Sequence, residues 1–148
     1  MDEKNMLEGK RVLIVDDEPD VLSTLEDLLS ICDTEKALSF AEAKEKLETG
    51  GFDLVILDIM GVRGFDLLSV AVHLGFPTVM LTAHALSVEA LKQSIEMGAR
   101  AYIPKEKMAD IPEFLMDVLS LHHSGSLQKM FQRLGGFFSR QFGSQWME

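Results

Sequence analysis

Three short branched-apolar runs each stop on a polar residue, and this constrains the fold more than any other feature. Arg11-Val12-Leu13-Ile14-Val15 runs into Asp16-Asp17-Glu18-Pro19, Leu54-Val55-Ile56-Leu57 into Asp58, and Thr78-Val79-Met80-Leu81 into Thr82. Four or five β-forming apolar residues in a row suit a parallel strand buried on both faces, not the alternating strand of a half-exposed sheet. Helical spacings fill the intervals. Val21, Leu22, Leu25, Leu28 and Leu29 repeat on one face, with Pro19 placed for the first turn; residues 41–47, 65–74 and 88–97 read similarly, the last stopping at Gly98. A weaker strand, Ala101-Tyr102-Ile103, precedes a helix over residues 111–121. A further strand over residues 36–39 completes five strand-helix units, the α/β pattern of a parallel sheet covered by helices on both faces.

A chain of 148 residues with 47% hydrophobic content fits one well-buried domain plus an appendage. Its one cysteine, Cys32, excludes an intramolecular disulfide and suits a reducing compartment. The start, Met1-Asp2-Glu3-Lys4-Asn5, is acidic and polar, unlike a signal peptide, and no uncharged stretch reaches membrane-spanning length, so a cytoplasmic location is expected. A formal charge of -10 argues against nucleic-acid binding, because an acidic surface repels phosphates. The charge is uneven. Residues 124–148 hold three basic residues and one acidic, leaving -12 on residues 1–123.

In an open doubly wound sheet, ligands gather beyond the carboxyl ends of the strands. Those ends carry Asp16 and Asp17, Asp58, Thr82 and Lys105. The acidic pair by itself also suits a helix entry, since carboxylates stabilise a helix N-terminus. Asp58 is different, because a charge at the end of a buried strand needs compensation. Gathered carboxylates repel one another and resist ionisation, yet they are the hard oxygen donors that Mg²⁺ accepts. Such a site suits attack by an Asp58 oxygen on phosphorus, with Lys105 supplying an ammonium and Thr82 a hydroxyl.

The set Val15-Asp16-Asp17-Glu18, Leu57-Asp58-Ile59-Met60, Leu81-Thr82-Ala83-His84 and Gly98-Ala99-Arg100-Ala101-Tyr102-Ile103-Pro104-Lys105 resembles the receiver domain of bacterial two-component response regulators, over roughly residues 9–121. The resemblance implies a flavodoxin-like, doubly wound, five-stranded parallel sheet of order 2-1-3-4-5. It implies Asp58 as phosphoacceptor, and Mg²⁺ held by Asp17, Asp58 and the Met60 main-chain carbonyl, with Asp16 acting through water. Thr82 and Lys105 would contact the phosphoryl group, and Thr82 and Tyr102 would form the switch. The implied partners are a sensor histidine kinase or phosphotransfer protein and an output protein that the sequence does not name. A receiver is no ordinary enzyme: it assists its own phosphorylation and dephosphorylation. Two departures stand out. The segment between Asp58 and Phe65 is about two residues shorter than usual and has no proline, and Glu106 follows Lys105 where a proline is common.

The expected boundary is the polar stretch His122-His123-Ser124-Gly125-Ser126, separating a receiver over residues 1–123 from a tail over residues 124–148. In the tail, Leu127, Met130, Phe131, Leu134, Phe137, Phe138, Phe142 and Trp146 form a helical stripe, with Gly135-Gly136 expected to weaken or kink it. Exposed apolar area of this size marks an interaction surface. The tail is therefore a candidate for packing on the receiver or on a second copy, for peripheral attachment to an anionic membrane, or for docking to another protein. Little length is left for a DNA-binding output domain. Met60, two residues after Asp58, is placed to shield a phosphoaspartate from water or simply to fill space. Solvated or packing roles suit His73, His84, His122 and His123. The leading function is a phosphorylation switch; the alternative is a pseudo-receiver that binds protein without taking phosphate. An aspartyl-phosphatase is disfavoured, because Met60 stands where a second Asp would be needed.

Overall fold

The computed structural model describes residues 6–83 and 87–143. His84 and Trp146 lie outside the described residues. The chain alternates β1 (Arg11–Val15), α1 (Pro19–Leu28), β2 (Asp33–Ala37), α2 (Phe40–Thr49), β3 (Leu54–Asp58), α3 (Gly64–His73), β4 (Thr78–Thr82), α4 (Val88–Glu96), β5 (Ala101–Pro104), a 3-10 stretch (Lys105–Asp110), α5 (Ile111–Ser120) and α6 (His123–Phe142). All strand pairs are parallel, and the sheet order is β2-β1-β3-β4-β5. This is the expected architecture, with the helical stripe of the tail forming α6.

The continuous apolar runs become the central strands: every residue of β3 and β4 is buried, as are the last four of β1. Burial on both faces explains why they show no alternation. The edge strand β2 spans Asp33–Ala37, not residues 36–39. Its polar sequence hid it. As an edge it presents Asp33, Glu35 and Lys36 to ion pairs with Arg11, Lys46 and Glu26 instead of burying them.

The opposite edge is closed by α6. It starts at His123, with only Leu121 and His122 between it and α5, so Ser124-Gly125-Ser126 forms its first turn instead of a linker. It also runs unbroken through Gly135 and Gly136. Met130, Leu134 and Phe138 turn inward and join the main core, while Gln128, Lys129, Gln132, Arg133 and Arg140 face outward. Arg133 pairs with Asp117 of α5 at 2.7 Å. The backbone N–H of Tyr102, on the side of β5 away from β4, donates to Met130 Sδ at 3.0 Å. Thus α6 covers a strand edge that would otherwise offer unpaired backbone groups to a second chain. Of the readings open for the tail, packing on its own receiver is the one the chain adopts for residues 123–143.

Candidate functional site

Strand register assembles the site. Val15 lies level with Leu57, which puts Asp16 beside Asp58; Asp58 is level with Leu81, and Thr82 with Pro104. Asp16, Asp58, Thr82 and Lys105 therefore meet at one end of the sheet, although they lie up to 89 positions apart in the chain. The strands stop there because Pro19 and the 3-10 stretch from Lys105 start new elements.

Asp16, Asp58 and Thr82 are buried, Asp58 to 5% exposure, while Asp17 and Glu18 are open to solvent. The Lys105 side chain, 11% exposed, reaches across: Nζ lies 2.8 Å from Asp16 Oδ2, 3.2 Å from Glu18 Oε1 and 3.5 Å from Asp58 Oδ1. The Glu18 backbone N–H donates to Asp16 Oδ1 at 2.9 Å. Glu18 is the contributor that sequence reasoning left unassigned. Its place directly after the acidic pair was the available signal.

The electrostatics follow from burial and crowding. Burial, then the charge of Asp16, push the Asp58 carboxyl up to about 7; Lys105 opposes this and Asp17 adds to it. Burial also raises Asp16, partly offset by its bonds from Lys105 and the Glu18 amide. For Lys105, burial disfavours the ammonium, but the Asp16 hydrogen bond and the Asp58 charge outweigh it and hold the group above the ordinary lysine range. One lysine thus faces three carboxylates, an imbalance that a divalent cation would correct. Among the described residues, Asp16, Asp17 and Glu18 each place a carboxylate oxygen within 4.8 Å of the others. These hard oxygen donors fit Mg²⁺ by chemistry.

The segment from Ile59 to Arg63 joins β3 to α3 in five residues. The Gly64 N–H closes it by donating to Ile59 O at 2.9 Å, and a Cβ on Gly64 would lie 2.1 Å from the Asp58 carbonyl oxygen. Ile59 and Val62 are buried, but Met60 is 65% exposed, so its side chain does not fill space in the core. Tyr102 is wholly buried, with the ring of Phe138 over it at a centroid separation of 6.3 Å.

The Response regulator receiver domain family matches residues 12–116. Among curated proteins, the chain is 37% identical over 103 residues to the two-component response regulator ARR18 of Arabidopsis thaliana, covering 66% of this chain and 16% of that protein. It is 34% identical over 102 residues to the response regulator protein PilR of Pseudomonas aeruginosa, covering 65% and 23%. The chain therefore spans less than a quarter of the length of these relatives. Among solved structures, a CheY-like response regulator receiver domain protein from Methanospirillum hungatei superimposes with a TM-score of 0.61 at 28% identity, covering 87% of this chain and 96% of the other. The fold and the family match place this chain among the response-regulator receiver domains of two-component signal transduction. Such domains typically bind Mg²⁺ and are not ordinary enzymes. Among the described residues no helix is long and apolar enough to cross a membrane.

Proposed function

We propose that this receiver takes a phosphoryl group onto Asp58 from a histidine kinase or phosphotransfer protein, and that the change is passed through Thr82 and Tyr102 to α6. The observation that carries the reading is the meeting of a buried Asp58 with the Lys105 ammonium at 3.5 Å, beside a second buried carboxylate. An Asp58 oxygen attacks phosphorus, an O–P bond forms, and the P–N bond of a phosphohistidine breaks as its imidazole departs. Lys105 offsets charge on the transferring group, and the Thr82 hydroxyl, at the end of β4, donates to a phosphoryl oxygen. Asp17, Asp58 and the Met60 carbonyl would hold Mg²⁺, with Asp16 acting through water; the cation supplies charge neutralisation that one lysine cannot. The burial of Tyr102 beneath Phe138 supports an output route in which movement at Thr82 and Tyr102 loosens or re-seats α6. Residues 1–123 would act as the receiver and residues 124–148 as its output segment, through which an output protein, a second copy or a membrane surface is reached.

A second reading, a receiver that binds protein without phosphate, draws on the five-residue connection after Asp58. Intact-mass measurement after incubation with Mg²⁺ and acetyl phosphate separates the two. The phosphoacceptor reading requires a gain of one phosphoryl group that is absent in Asp58→Asn; unchanged mass in the parent protein supports the second reading.

A further inference from the structure

We propose that Gly61 is a positioning residue for Asp17, the shortened β3–α3 connection using its missing side chain to seat the Asp17 carboxylate for a divalent cation. This rests on the phosphoacceptor reading and deepens it. Gly61 has φ of +83°, and a Cβ there would lie 2.3 Å from Asp17 Oδ2, 2.6 Å from Cγ and 2.9 Å from Oδ1. No side-chain carbon occupies such distances, so the main chain at Gly61 lies directly against the carboxylate.

The connection cannot easily retreat. Val62 is buried in the core on one side of it. Arg63, itself left-handed at φ 56°, lays its guanidinium 4.0 Å from the Phe40 ring centroid and pairs with Asp66 at 2.9 Å. The Gly64 N–H to Ile59 O bond closes the turn beneath. Asp17, by contrast, is exposed and free to rotate outward. A methyl group at position 61 is therefore accommodated by displacing the Asp17 carboxylate, not by opening the fold. In a longer connection the chain could yield instead, which ties this dependence to the five-residue length.

Gly75 provides a matched control. It shares the backbone region, φ +86°, but a Cβ there meets nothing within 4 Å. Gly75→Ala thus carries the left-handed strain without the clash. Mg²⁺ affinity is measured by isothermal titration for the parent, Gly61→Ala and Gly75→Ala, with a thermal melt of each in EDTA. The expected result is Mg²⁺ affinity weakened about tenfold or more in Gly61→Ala, the size of loss typical when a supporting group around a metal is disturbed, and unchanged in Gly75→Ala. Equal affinity in Gly61→Ala and the parent overturns the proposal while leaving the phosphoacceptor reading intact. A parent that binds no Mg²⁺ overturns both. If Gly61→Ala does not fold, the Asp17→Ala/Gly61→Ala double variant is expected to fold, since Asp17 is what the new methyl meets; a double variant that also fails to fold overturns the proposal.

Discussion

Phe138 of α6 lies over Tyr102 of β5, both wholly buried, with ring centroids 6.3 Å apart. Three phenylalanines of α6 meet around this contact: Phe138 also stands edge-on to Phe137 and stacked on Phe142, at 6.1 and 5.9 Å. From Phe131 to Phe142 the aromatic stripe of the tail therefore packs on the receiver's own core beside the β5 edge. Deleting residues 123–148 should leave a folded domain that still takes phosphate, because the five strand-helix units hold most of the core without Met130, Leu134 and Phe138. It should also self-associate, since the Tyr102 N–H and the apolar patch around it become available. Light scattering and intact-mass labelling of the truncated chain test both parts; a truncated chain without cooperative unfolding would show α6 to be indispensable to the core.

Within the full chain, Phe138→Ala should weaken α6 docking, since removing a buried phenyl ring costs about 3–5 kcal/mol. The effect should be local. Hydrogen exchange at the Tyr102 amide, which donates to Met130, is expected to accelerate far more than exchange in β1 or β3.

The raised Asp58 carboxyl makes the metal-free protein more stable in mild acid than in base. Its folded pKa of about 7 lies above the ordinary carboxylate value of 3.8, so the folded state holds a proton that the unfolded state releases. This contribution is full below the unfolded value and is lost as pH rises through about 7. Melting temperatures in EDTA should therefore fall between pH 5 and pH 8 in the parent, and fall less in Asp58→Asn. Identical slopes would contradict the assignment of the shift to Asp58.

Lys105→Met removes the cation that, among the described residues, pairs with Asp16 and Asp58. Breaking a buried ion pair on one side typically costs about 3–5 kcal/mol. The loss should be greatest at pH 8 and smaller at pH 5, where protonated carboxyls need no partner. Urea unfolding of the metal-free variant at the two pH values measures it, and a cost independent of pH would indicate lost packing instead.

Millimolar Mg²⁺ should raise the melting temperature of the parent, because a ligand that binds the native state alone stabilises it by mass action. Asp17→Asn should remove most of that rise. A melt indifferent to Mg²⁺ in the parent counts for the phosphate-independent reading.

Much of the candidate site's assembly was legible from sequence because the three central strands advertise themselves. Burial on both faces demands unbroken apolar runs, and a parallel sheet delivers the ends of those runs to one place, so Asp16, Asp58 and Thr82 could be picked out where the runs stop. The edge strand β2 was misplaced for the converse reason: Asp33, Glu35 and Lys36 satisfy themselves with ion pairs at the surface and leave no hydrophobic signature. Tertiary structure alone decided how the partners share charge, with Lys105 closest to Asp16 at 2.8 Å and Glu18 drawn into the same cluster. It alone turned the Met60 side chain to solvent and brought Gly61 against Asp17. It also chose where α6 goes. A helical stripe specifies that an apolar face must be covered, but which surface covers it depends on the shape and unpaired backbone of the rest of the fold, here the open edge of β5.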